Sequence, residues 1–330
     1  MSRMNRRQMS GLLTAAAAGA LTLKAPAVWS QANITKIRAG VVPVLDAGAF
    51  IAAQAQGYFA AERLEVEVTP TPGGGPAMAA LVANQFQFAM STITTIIAGA
   101  AEGVDLRIVA PTSIANAPPN DYTSILVRKD GSVRSGADTV GKIGASHLLQ
   151  NLLWICLRMW VDQTGGDSAK NAIIEVRFPQ QADALLQGRV DYVASIEPFM
   201  SAQVQANPDK LEIISGLCGS MMPGTVVAAF AATQSYIDRN REIVQAFTRA
   251  HRNGAEWCEG NKGNPAHVEL IAKFTQLPPE RLRALLAWPS YPRGVDTANL
   301  DRIAEGMKRY GMLTSVPKAE SYLYETGRVH

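Results

Sequence analysis

Residues 37–91 read IRAGVVPVLDAGAFIAAQAQGYFAAERLEVEVTPTPGGGPAMAALVANQFQFAMS, and this stretch decides the fold. The run KIRAGVVPV is β-branched and is bounded by Pro43 and Asp46. AGAFIAAQAQGYFAAERL then places Phe50, Ala53 and Gly57 at helical spacing. EVEVTP is the next strand, PAMAALVANQ the next helix and QFAM a third strand, with TITTIIAGAAEG and LRIVAPT continuing the rhythm. Such a β-α-β-α succession predicts mostly parallel pairing with helices on the faces of a sheet.

Working outward, the rhythm breaks at SIANAPPNDYTSILVRKDG, where Pro118 and Pro119 precede a β-rich run, YTSILVRK. A second α/β unit follows: KIGAS, a helix over LLQNLLWICLRMWVDQ, the strand IIEVRF, the helix QQADALLQG and the strand VDYVASI. Another β run, TVVAAFAA, comes after GSMMPG, and beyond it the patterns are helical. The pattern predicts two α/β lobes joined by two crossing β runs acting as a hinge, with lobe 1 at 33–122 and 226–330 and lobe 2 at 123–225.

The first 32 residues read differently. MSRMNRRQMS carries Arg3, Arg6 and Arg7 without an acid, and GLLTAAAAGALTL is an apolar run too short to span a bilayer as a helix. A twin-arginine-like export signal over 1–32 is expected, with cleavage after Ala27 or Ala32. Its removal takes away four cations and leaves 27 basic against 28 acidic residues, so the sequence pI of 8.7 gives no support for a nucleic-acid partner. The remainder, 47% hydrophobic and 18% charged over the full 330 residues, is a globular composition. Cys156, Cys218 and Cys258 make no disulfide framework, and the four histidines show no ligand spacing, so neither a metal nor a cofactor is expected.

In open parallel sheets ligands sit beyond the carboxyl ends of the strands. The TPGGGPAM turn lies at such an end. Pro76 at a first helical position has no donor to lose, while Gly74 and Gly75 let a ligand approach exposed amides at the positive end of the helix. No G-K-[ST] follows, so the turn is no nucleotide P-loop. On the same lobe Asp46, Ser91, Thr92 and Asn116 are further candidates for ligand contact. His147, Gln181 and Glu197 are candidates on the other lobe, with Phe50, Tyr122 and Phe199 to cover an apolar ligand face. Asp46 and Thr92 read equally as helix caps. No G-x-S-x-G, H-E-x-x-H or P-loop surrounds these residues, which favours binding over catalysis.

The stretch 37–91, with its A-x-x-x-G-Y-F helix end and G-G turn, together with LVRKDG, GRVDYVASIEPF and LIAKFTQLPPERL, resembles the nitrate/sulfonate/taurine branch of ABC-transporter substrate-binding proteins, which includes thiamine-precursor-binding relatives. The resemblance implies a type II two-lobed periplasmic-binding-protein fold. It also implies a periplasmic monomer that captures a small molecule between its lobes and delivers it to an inner-membrane permease. The same fold serves thiamine-pyrimidine synthases, whose cysteine-rich motif has no counterpart here, and the chain could equally feed a membrane sensor. After GKIGAS the family usually has a Gly-rich turn with Ser or Thr, whereas this chain has HLLQNLLW with His147. No arginine is expected in a cleft loop, and Asp46, Asp121 and Glu197 add negative charge, so the expected ligand is a mono-anionic carboxylate or sulfonate, or a pyrimidine-like compound.

Overall fold

The computed structural model describes residues 34–328; the expected export signal, residue 33 and His330 lie outside the described residues. Four strands open the chain: β1 (Thr35–Val41), β2 (Leu64–Pro70), β3 (Phe88–Thr92) and β4 (Leu106–Ala115). Five follow as β5 (Thr123–Arg128), β6 (Ile143–Ser146), β7 (Ala172–Glu175), β8 (Tyr192–Ile196) and β9 (Leu211–Gly216), and then β10 (Thr225–Thr233). They form two five-stranded sheets, ordered β2-β1-β3-β10-β4 and β7-β6-β8-β5-β9.

Parallel pairing holds for β1 with β2 and β3, and for β6 with β7 and β8. The returning strands reverse it: β10 runs antiparallel to β3 and β4, and β5 antiparallel to β8 and β9. Both sheets are therefore mixed, where the sequence rhythm predicted mostly parallel ones.

Helices α1 (Gly48–Ala55), α2 (Tyr58–Ala61), α3 (Gly74–Val82) and α4 (Ile93–Ala101) alternate with the first strands. The single helix expected over 47–64 divides at Gly57, whose φ of 75° is left-handed and suits glycine. In the second sheet α5 (Leu152–Gln163), α6 (Gln181–Leu186) and α7 (Phe199–Ala206) follow β6, β7 and β8. The short α8 (Cys218–Met221) lies between the sheets in sequence. The chain continues through α9 (Gln234–Arg239), α10 (Arg241–Asn261), α11 (Pro265–Thr275), α12 (Pro279–Arg283) and α13 (Thr297–Arg309). Among the described residues no helix is long and apolar enough to cross a membrane.

Two apolar cores hold these layers. One joins Phe50, Phe59, Phe230 and Phe247 with Val268 and Ile271, uniting α1, α2, α10 and α11 with the first sheet. The other is continuous across both sheets, from Met78, Ile93 and Ile97 through Ile125 and Trp154 to Leu300, Ile303 and Met307 of α13. Each such side chain, fully buried, stabilises by about 1.5–3 kcal/mol. The three cysteines are buried and free.

The chain passes between sheets over 116–122 and again over 217–224, in the segments just before β5 and β10. The expected hinge strands are themselves laddered: β5 is paired on both sides along nearly all its length, and β10 is paired with β4 from end to end and with β3 over Ala228–Ala231. One buried carboxylate ties the two crossings together. Asp121 accepts from Thr123 N and Oγ1 at 3.0 and 2.6 Å, and from Leu217 N and Ser220 N at 2.8 and 3.0 Å.

Candidate functional site

α3 begins at Gly74, two residues before the start expected at Pro76. Gly73 is its N-cap in extended conformation, and the first helical bond is Ala77 N to Gly73 O. Pro76 is thus the third helical residue, still among the positions whose donors have no partner within the helix. The amides of Gly74 and Gly75 remain available. Ser91 lies against this start: a Cβ on Gly74 would overlap its hydroxyl, so the close approach requires glycine there, whereas Gly73 and Gly75 have open space around them. The Ser91 side chain is 1% exposed and its hydroxyl has no partner among the described residues; the same holds for Thr71, 7% exposed, at the end of β2. Thr92, exposed at the N-cap of α4, makes no capping bond and contacts Thr95 Oγ1 at 2.9 Å.

The other candidates of the first sheet are engaged elsewhere. Asp46 accepts from Ser113 Oγ at 2.5 Å and Tyr122 OH at 2.7 Å. Burial pushes its carboxyl pKa up against those two bonds, and pushes the Tyr122 phenol well up. Asp46 and Tyr122, expected to touch ligand, are instead buried and joined to each other through Asp46 Oδ1. Phe50, expected to do the same, is buried likewise, its ring 1% exposed among Phe59, Phe230 and Phe247 at 5.0–6.2 Å. The Asn116 amide donates to Ser290 Oγ.

On the second sheet, α5 starts at Leu152 with Asn151 as cap, its Oδ1 accepting from Trp154 N at 2.9 Å. Residues 147–151, expected largely within the helix, are therefore a loop beyond β6. His147 stacks on Phe178 at 4.2 Å and 21°, and Phe178 stacks on Phe199 at 5.1 Å and 17°. Burial first, then the charge of Arg177, lowers the His147 pKa to about 4 against the opposing pull of Glu175, so the ring is neutral at pH 7. Ser146 ends β6 with a buried, unpartnered hydroxyl, and Leu148, Leu149 and, from the first sheet, Val44 are exposed apolar residues at these strand ends.

Glu197 is engaged within the protein, and Gln181 is so at its Nε2, while its buried Oε1 has no partner among the described residues. Gln181 is wholly buried and its Nε2 donates to Ala194 O at 2.9 Å and Val176 O at 3.3 Å. Glu197, 3% exposed, accepts at Oε1 from Ser201 Oγ at 2.5 Å, Leu286 N at 3.0 Å and Ala287 N at 3.3 Å.

Two residues escaped the sequence reading. The strand expected through Phe178 ends at Glu175, which turns Arg177 and Phe178 into the loop at the strand end. Arg177 is exposed and has no ion-pair partner among the described residues, so a cation does stand in a strand-end loop, contrary to expectation. Among the described residues no three His, Cys, Asp or Glu are grouped to hold a metal.

Similar proteins share this architecture. The periplasmic aliphatic sulphonate binding protein SsuA of Escherichia coli superposes with a TM-score of 0.72 at 16% identity, covering 88% of this chain and 98% of that one. The periplasmic nitrate-binding protein NrtA of Synechocystis PCC 6803 gives 0.68 at 15% identity over 88% and 86%. In sequence, the Bacillus subtilis protein YtlA, named as a binding protein, is 23% identical over 230 residues, 69% of this chain and 67% of YtlA. The family model described as NMT1/THI5 like matches residues 45–262, and with two thirds of its length matched the chain belongs to the NMT1/THI5-like family.

Proposed function

We propose that the protein is an extracytoplasmic solute-binding protein of an ABC importer. It captures a small mono-anionic organic molecule between the strand ends of its two sheets and delivers it to a permease in the inner membrane. The observation that carries this reading is the start of α3, where free amides of Gly74 and Gly75 adjoin the buried, unpartnered hydroxyl of Ser91. Donors at a helix start favour an anion, and a buried hydroxyl without a partner is costly unless a ligand supplies one.

The reading has further support. No G-x-S-x-G, H-E-x-x-H or P-loop motif accompanies these donors in the sequence. His147 is neutral, which leaves Arg177 as the positive charge in these strand-end loops and suits one negative charge on the ligand better than two. Under this proposal the lobes are 33–122 with 226–330, and 123–225, turning about the crossings at 116–122 and 217–224. The protein acts in the periplasm as a monomer after export.

A thermal-shift screen with taurine, benzoate, benzenesulfonate, nitrate, a hydroxymethylpyrimidine, sulfate and phosphate tests it. An organic mono-anion is expected to raise the melting temperature, because a ligand at 100 times its Kd stabilises by about 2.7 kcal/mol. Stabilisation by sulfate or phosphate alone would overturn the choice of ligand class, and stabilisation by none would overturn the function.

A further inference from the structure

Three consecutive parallel strands of the second sheet each deliver one ring to the same row: His147 after β6, Phe178 after β7 and Phe199 after β8. The planes are nearly parallel, at 21° and 17°, with centroids 4.2 and 5.1 Å apart. Phe178 is anchored against the continuous core, whereas Phe199 belongs to no core cluster and has Phe178 as its sole ring partner among the described residues. All three are half-buried. Arg177, exposed and without an ion-pair partner among the described residues, precedes the central ring. Burial alone would be met by aliphatic side chains; a row of near-parallel planes ending on a ring stacked on one side only discriminates in favour of another plane.

We infer that the row His147, Phe178 and Phe199 is a stacking platform and that the ligand is an aromatic mono-anion, an aryl carboxylate or aryl sulfonate, whose ring takes the next place in the row at Phe199. This deepens the solute-binding reading and rests on it. The aryl ring is held by the second sheet, and its acidic group by the donors at the start of α3 or by Arg177.

Isothermal titration of the full chain with benzoate and benzenesulfonate, each against its saturated counterpart, cyclohexanecarboxylate and cyclohexanesulfonate, tests the inference. The better aryl compound is expected to bind roughly 3- to 10-fold more tightly than its saturated partner. Phe199→Leu should remove that preference while the saturated compound keeps its Kd within about twofold, and Phe199→Tyr should preserve it. Equal affinity for aryl and saturated compounds, or a preference that survives Phe199→Leu, would overturn the platform and leave the solute-binding reading standing. If taurine stabilises the fold but neither aryl compound binds, the aromatic class is wrong. If no compound of either panel binds, both readings fall together.

Discussion

The two sheets share one strand order, yet their strand ends carry different chemistry. In each, the first strand lies between the second and third, and the strand that returns from the other sheet enters between the third and fourth. At the ends of the first sheet stand glycine amides and the small hydroxyls of Thr71, Ser91 and Thr92. At the ends of the second stand three rings, a guanidinium and one such hydroxyl, Ser146. The fold repeats while the site does not, because the ladder fixes strand order and leaves the loops beyond it free to vary.

The sharpest break of this contrast is at Gly74. Gly74→Val would drive a branched side chain into Ser91 and push the hydroxyl away from the helix start. Affinity for the tightest mono-anion in the screen should fall roughly 100-fold, with a stability loss of about 1–3 kcal/mol from overpacking. Gly75 has open space where a Cβ would stand. Gly75→Val should therefore leave the melting temperature alone and lower affinity only. Equal behaviour of the two variants in calorimetry and binding would show that the turn has no directional role.

The third strand of each sheet gives the next comparison. β3 carries Ser91 one residue before its end, with a hydroxyl that has no partner among the described residues, whereas β8 is followed by Glu197, whose carboxylate is spent on Ser201 and on the amides of Leu286 and Ala287. Those amides belong to a segment whose neighbours Leu282, Leu285 and Trp288 pack in the first sheet's core, so Glu197 joins the layers of both sheets. Glu197→Ala should cost about 2–4 kcal/mol, since it strands several buried donors at once. Glu197→Gln keeps an acceptor and should cost less. Chemical denaturation reads both, and a neutral alanine variant would dissolve the contrast.

What was legible in the sequence follows the same division. Alternating apolar runs marked most of the strands and helices of both units in order, because burial on a pleated face imposes its period directly. The site was legible only where a loop residue owes its role to local geometry, as in the glycines before Pro76. Phe50, Asp46 and Tyr122 look like loop or helix-start residues but are packed or paired by partners more than a dozen residues away, and Gln181 is held by Val176 just after β7 and Ala194 within β8. Arg177 and Phe178 were hidden by the opposite error, since IIEVRF reads as one β run and nothing local marks its end at Glu175. Leu211–Gly216 escaped as a strand for want of alternation, although β9 completes the second sheet.

Histidines sharpen the contrast under acid. His251 on α10 is 1% exposed, both its ring nitrogens lack partners, and it packs against Phe230 and Phe247. Burial first, then the Arg252 charge, lowers its pKa to about 3. The unfolded chain takes up a proton near pH 6.5 that the folded chain refuses until about pH 3, so stability is present above 6.5 and is lost as pH falls through that window. Between pH 7 and 5 the loss is about 2 kcal/mol. His251→Phe should remove that part of the slope in melts from pH 7 to 5; an unchanged slope would mean that the histidine is hydrated in solution.

The smallest expected effect separates the site from the scaffold most cleanly. Ser91→Ala deletes a hydroxyl that is buried and bonds to nothing among the described residues. Removing an unpartnered polar atom from a buried place relieves its desolvation cost, so the melting temperature should hold or rise slightly. If the hydroxyl exists to meet a ligand oxygen, affinity should nonetheless fall about fivefold, the equivalent of about 1 kcal/mol for one hydrogen bond. A packing role for Ser91 predicts the reverse pair, a lower melting temperature with affinity intact. Ser195 holds the equivalent place on β8, buried, unpartnered among the described residues and one residue before the strand ends, but unlike Ser91 it has no glycine helix start packed against it. Ser195→Ala should spare both quantities, and a loss of affinity there as large as at Ser91 would show that an orphaned hydroxyl in this protein is no mark of the binding site.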